Sequence, residues 1–179
     1  MATRAELVEI FSEEGVITLP VEESIANKIP EQDARLLAEV GLPAALDVLF
    51  TLGGSKEPRA FTILPVDTGE SVENVLVLGS PTDDSEMRYC LDLEDGYVIL
   101  LDLGEEPAAE IVNSSLEDFI EFLYRYALRL KHIVGTTDEQ ADKYTEQLRT
   151  YLEARDPQAF ADDEAWWSMV FRRLMGEEF

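Results

Sequence analysis

Carboxylates dominate whatever chemistry this chain could perform: it has 38 acidic side chains against 14 basic ones, a formal net charge of -24. Two acidic clusters have spacings that could matter. Asp92-Leu93-Glu94-Asp95-Gly96 opens like a calcium loop. The glycine comes too early, however, and the closing glutamate and flanking helices of such a site are missing. A hairpin turn accounts for the same residues without a metal. Asp83-Asp84-Ser85-Glu86 reads as a solvated loop. Paired carboxylates could also serve a glycosidase, but nothing in the sequence selects any two of them.

The other reactive types are scarce. His132 is the only histidine and Cys90 the only cysteine, with no metal-ligand or nucleophile-base spacing between them. His132 falls near the end of a long helix, where an imidazole interacts favourably with the negative helix terminus. Cys90 lies in an apolar strand-like run, the usual place of an inert buried thiol. No Gly-x-Ser-x-Gly elbow is present. Gly53-Gly54-Ser55-Lys56 lacks the preceding glycine of a phosphate loop, and Pro58 follows where its helix should start. The residues therefore point to no catalytic group, no cofactor and no metal.

The charge excludes more than it assigns. A polyanion repels nucleic acid and anionic membrane surfaces, leaving a basic protein partner or simple solubility as its use. A lone cysteine, no apolar leader in the first residues and no run of membrane-spanning length predict a cytoplasmic protein. At 179 residues with 46% hydrophobic content, the chain can build one substantial core without disulfides.

The elements that position these residues are legible from period and punctuation. Helices are expected over Ala5–Phe11 and Glu31–Val40, the latter ended by Gly41-Leu42-Pro43. Strands are expected over Arg59–Leu64, Glu73–Leu78, Glu86–Leu93, Tyr97–Leu103 and Ala109–Val112. Asp95-Gly96 supplies a hairpin turn between the third and fourth. Pro65, Gly79-Ser80-Pro81 and Gly104 read as the punctuation of this meander. Ser114 with Glu117 matches a capping box for a helix striped by Leu116, Phe119, Ile120, Leu123, Tyr126, Ala127 and Leu130. Further helices follow over Asp138–Ala154 and from about Asp163 to Met175, with Trp167 on the buried face of the last. Trp166, on the neighbouring face, either covers core or anchors a partner. The fold class is α+β: a central, largely antiparallel sheet packed by helices, with a helical C-terminal extension. Residues 1–179 form one domain, its core about 20–135 and its extension about 136–179.

Several ordered segments resemble the SUKH superfamily, and most closely its fourth immunity-protein subgroup from actinobacteria. They are Ile29-Pro30, Leu37 through Pro43, Phe50, Leu76-Val77-Leu78-Gly79, Tyr89-Cys90-Leu91-Asp92 and Gly96 through Asp102. Val112 through Phe119 is the most characteristic. Asp156-Pro157-Gln158-Ala159 and Trp166-Trp167 complete the set, which spans most of the chain from Pro20 onwards; the stretch from Gly53 to Asn74 carries no likeness. The resemblance implies an antidote without catalytic residues, which binds and neutralises a toxin domain, often a nuclease or nucleic-acid deaminase. It implies a cognate protein toxin as partner; the net charge of -24 adds the expectation that this toxin is basic, and the antidote is expected to be a monomer when free. A regulatory or scaffolding module of the same superfamily is the alternative. The expected partner-binding surface is the acidic strip of Asp83, Asp84, Glu86, Asp92, Glu94 and Asp95, together with Trp166.

Overall fold

The computed structural model describes residues 1–82 and 85–177. Its centre is a five-stranded antiparallel sheet in simple meander order: β5 (Ile63–Asp67), β6 (Val72–Gly79), β7 (Met87–Asp92), β8 (Val98–Asp102) and β9 (Ala108–Asn113). The expected hairpin is present, β7 and β8 pairing from Met87 with Asp102 to Leu91 with Val98. Gly96 takes φ +80° in its turn, the left-handed conformation that Asp-Gly announced. Ahead of the sheet come α1 (Arg4–Phe11), β1 (Val16–Ile17), α2 (Val21–Ala26), α3 (Glu31–Glu39), β2 (Leu42–Pro43), β3 (Ala45–Leu46) and β4 (Phe50–Thr51). After it come α4 (Leu116–His132), α5 (Asp138–Arg155), a 3₁₀ turn over Pro157–Phe160, and α6 (Trp166–Leu174).

Three expectations are corrected. The strand placed at Arg59–Leu64 starts at Ile63 and runs through Pro65 to Asp67. A proline usually punctuates a strand, but β5 is an edge strand, where a residue lacking an N–H loses no ladder bond. The α4 cap is one residue later than expected: Ser115, not Ser114, accepts from the Asp118 amide at 3.1 Å. Finally, α6 begins at Trp166 rather than near Asp163, because the Asp162 carboxylate takes the Glu164 N–H at 2.9 Å and holds a turn there.

The sheet alternates, and one face carries the core. Leu76, Leu78, Tyr89, Leu91, Val98, Leu100 and Val112 join α4 and the flanking helices in one buried cluster. Phe119 from α4 meets Phe50 and Tyr89 at ring-centroid distances of 5.9 and 5.2 Å. Gly79 permits this approach, since a β-carbon there would stand 2.6 Å from the Thr51 carbonyl and 2.7 Å from the Phe50 ring. The same cluster takes in Leu7 from α1 and Leu148, Leu152, Phe160, Trp167 and Phe171 from the C-terminal helices.

A buried polar latch fixes those C-terminal helices to the sheet. Asp156, at the end of α5, is 2% exposed. It accepts from Asn113 Nδ2 at 3.0 Å, the Ser114 amide at 2.9 Å and Ser114 Oγ at 2.7 Å. The other end of the Asn113 amide, Oδ1, accepts from Trp167 Nε1 at 3.0 Å. Ser114 is therefore committed to α5, which is why its neighbour caps α4. Arg155 adds ion pairs to Asp118 at 2.8 Å and Glu117 at 3.0 Å.

Candidate partner-binding surface

The candidate acids divide between the two ends of the sheet. Asp92, Glu94 and Asp95 share the β7–β8 turn. Asp92 is largely buried and builds that turn, its Oδ1 accepting from the Glu94 and Asp95 amides at 2.8 and 3.1 Å. One oxygen of its carboxylate is therefore engaged within the turn, while the Glu94 and Asp95 side chains are exposed. Glu86 lies just beyond the other end of β7, about 20 Å from Asp92 along a strand rising ~3.3 Å per residue. There it faces Lys56 at 3.9 Å. Asp83 and Asp84 lie outside the described residues. Trp166 belongs to neither group: it is half-buried on the helix side, its ring edge-on to Tyr89 at 6.0 Å.

What joins the acids into a surface is the outer face of the sheet. Val75, Val77, Cys90 and Leu101 form a second apolar cluster, packed by Leu64, Val66 and Ile99, and among the described residues no helix contributes to it. One half of this face is closed by loop residues. Arg88 stands beside Cys90 on the strand, 3% exposed. It donates to the carbonyls of Lys56, Glu57 and Pro58 at 2.9, 3.4 and 2.9 Å, and to those of Ser85 and Met87 at 2.6 and 2.8 Å. A guanidinium with five N–H donors is suited to this task, pinning the 56–58 segment across the sheet. On the other half, toward the Glu94-Asp95 turn, Leu64, Val66, Ile99 and Ile111 are only half-buried. Glu73 belongs to the same face, paired across from Val66.

The charge of this layer is one-sided. Between residues 60 and 116 the sequence has 13 carboxylates and a single base, Arg88, a net of -12 in 57 residues. The remaining 122 residues carry the other -12 with 13 bases interspersed, so the sheet segment has about twice the negative charge density. Lys56 and Arg59, on the crossing loop, are each paired with a carboxylate, Glu86 and Glu57 respectively.

The lone cysteine and the lone histidine are both taken up in packing. Burial pushes the Cys90 thiol up to about 12, which keeps it protonated and unreactive. His132 stacks on Tyr144 with ring centroids 4.1 Å apart. Among the described residues no group of three or more His, Cys, Asp or Glu is arranged to hold a metal ion. No helix of the described residues is long and apolar enough to cross a membrane.

Fold and charge layout together can be set against known families. The family model described as SUKH-4 immunity protein matches residues 2–173. The chain belongs to the SUKH-4 immunity protein family. No curated protein and no solved structure matches it. The segments that carry the SUKH-4 likeness in the sequence are, in the structure, mostly interior: Phe50, Tyr89, Asn113, Phe119 and Trp167 are all fully buried. They specify the SUKH-4 fold and its latch, and they are not available to a partner. The outer-face residues escaped the sequence reading, although a signal existed. Val75 through Leu78, Tyr89 through Leu91 and Val98 through Leu101 are unbroken apolar runs, the mark of strands covered on both faces.

Proposed function

We propose that this chain is an immunity protein that binds a cognate toxin domain and silences it by occupying its substrate-binding surface. Membership of the SUKH-4 immunity protein family, whose model matches residues 2–173, carries this reading. The toxin domain is basic, a nuclease or nucleic-acid deaminase. Such enzymes need positive surfaces for polyphosphate substrates, and a partner of net charge -24 competes for the same groups. Long-range attraction steers the encounter, and occlusion of the substrate groove supplies the inhibition. The antidote acts in the cytoplasm, as a monomer until it meets the toxin.

Co-expression tests this directly. Cells expressing the toxin domain encoded beside this gene should stop growing, and co-expression of this chain should restore growth. Growth arrest unrelieved by a folded, abundant antidote would count against immunity, and a scaffolding role would then lead.

A further inference from the structure

The toxin-antidote reading leaves open where the partner sits. We infer that it sits on the outer face of the five-stranded sheet, on the half left bare by the 56–58 segment, through a basic surface with an apolar centre. This rests on the proposed function only for the identity of the partner; the surface itself follows from packing and charge.

Leu64, Val66 and Ile99, with Ile111 paired beside Ile99, form the middle of that half, and among the described residues no helix joins their cluster. The helices of the described residues pack the opposite face into the main core. Glu73, Glu94 and Asp95 border the apolar centre, and the only base of residues 60–116 is buried under five carbonyl bonds. An apolar centre with a charged rim is the layout of a protein interface. The sign of the rim selects among occupants. A nucleic acid would bring phosphates against carboxylates. A second copy of this chain would bring the same carboxylates against themselves. A protein surface rich in lysine and arginine around a few apolar side chains fits both zones.

The test uses the full chain and two probes. The first is a twelve-residue peptide of alternating lysine and valine, titrated into isotopically labelled protein and followed by amide chemical shifts. The second is the toxin domain encoded beside this gene, followed by hydrogen-exchange protection. The inference expects the responses of both to centre on Leu64, Val66, Ile99, Ile111 and the Glu94-Asp95 turn. Combined Glu73→Lys, Glu94→Lys and Asp95→Lys should weaken each interaction at least about tenfold, as expected for reversal of steering charges. Combined Glu139→Lys, Glu146→Lys and Glu153→Lys on the exposed side of α5 should change it less than about threefold. Ile111→Lys should also weaken binding, and the charge variants decide the matter if that protein fails to fold. Equal losses from the two triple variants, responses spread over the helices, or self-association through this face would each overturn the inference. If the toxin domain is protected elsewhere, immunity survives and this face is excluded. If the peptide maps here and the toxin domain does not bind at all, the face stands and the immunity reading falls.

Discussion

Replacing Asp156 by alanine separates a structural latch from a binding residue. Asp156 is 2% exposed, and its carboxylate is the acceptor for Asn113 Nδ2, the Ser114 amide and Ser114 Oγ. Truncation strands the buried Asn113 amide N–H and the part-buried Ser114 backbone N–H, while the serine hydroxyl can turn to a new acceptor. Each stranded donor costs ~1–3 kcal/mol, and bonds to a charged group lie at the upper end. The Asn113 amide is also freed from the orientation that serves Trp167 Nε1. Two strong bonds and a partly loosened third give a loss of about 4 kcal/mol. At ~2–4 °C per kcal/mol for a domain of this size, the melting temperature should fall by about 12 °C. Asp156→Asn keeps one acceptor oxygen but turns an NH₂ toward a donor, and should cost about half as much. Urea unfolding followed by tryptophan fluorescence gives both values, with Trp167 reporting on the latch itself. A loss under about 1 kcal/mol for Asp156→Ala would refute the latch. A variant of native stability that no longer bound its partner would place Asp156 in the binding site instead.

Phe119→Ala should cost ~3–5 kcal/mol in the same assay, since the ring is fully buried against Phe50 and Tyr89; a loss under about 1 kcal/mol would remove α4 from the core. Arg88→Ala strands the carbonyls of Lys56, Glu57 and Pro58 and should make the 53–60 loop the first site of limited proteolysis, whereas unchanged cleavage would show that other contacts hold it. Stability should peak on the acid side of neutrality. Burial, with the charge of Asp162 adding to it, raises the Glu110 carboxyl, and burial alone raises Asp33. Acidification through those raised values removes a strain present at neutral pH. Burial also works to raise Glu121, but the Arg125 hydrogen bond and charge outweigh it and hold that carboxyl below the usual range. Its contribution is present above the unfolded value and is lost as pH falls through the folded one. Glu121→Gln should flatten that acid limb, and an unchanged limb would assign it to other groups. Adding moderate salt at neutral pH should raise the melting temperature by screening a net charge of -24; a flat response would show the carboxylates to be well dispersed.

The strands from β6 to β9 and the helices α1, α3, α4 and α5 were legible within one or two residues. Their apolar periods, the Asp95-Gly96 turn and the clear breaks at Gly41 and Gly135 are local signals. Four two-residue strands passed unseen, because pairs such as Val16–Ile17 with Leu42–Pro43 depend on tertiary contacts and leave no period. Pro65 misled for a related reason, since edge position is a property of the whole sheet. Ser114 and Ser115 present the same cap chemistry to a sequence reader, and only Asp156, 42 residues away, decides between them. The proposed surface draws on only part of the acidic strip that the sequence suggests. Charge marked the Glu94-Asp95 turn, but Glu86 and Trp166 were grouped with it by type, and the fold sets them at the far end and on the opposite side of the sheet. Arg88 gave no hint of its role, which exists only once the 56–58 segment crosses the strand.

The most direct test of the account is a titration of the purified toxin domain's activity with this chain at fixed toxin concentration and physiological salt. The account predicts that activity falls linearly and breaks at one molar equivalent, and that the Glu73→Lys, Glu94→Lys, Asp95→Lys variant shifts or abolishes the break. Full toxin activity in the presence of a large excess of folded antidote would contradict it.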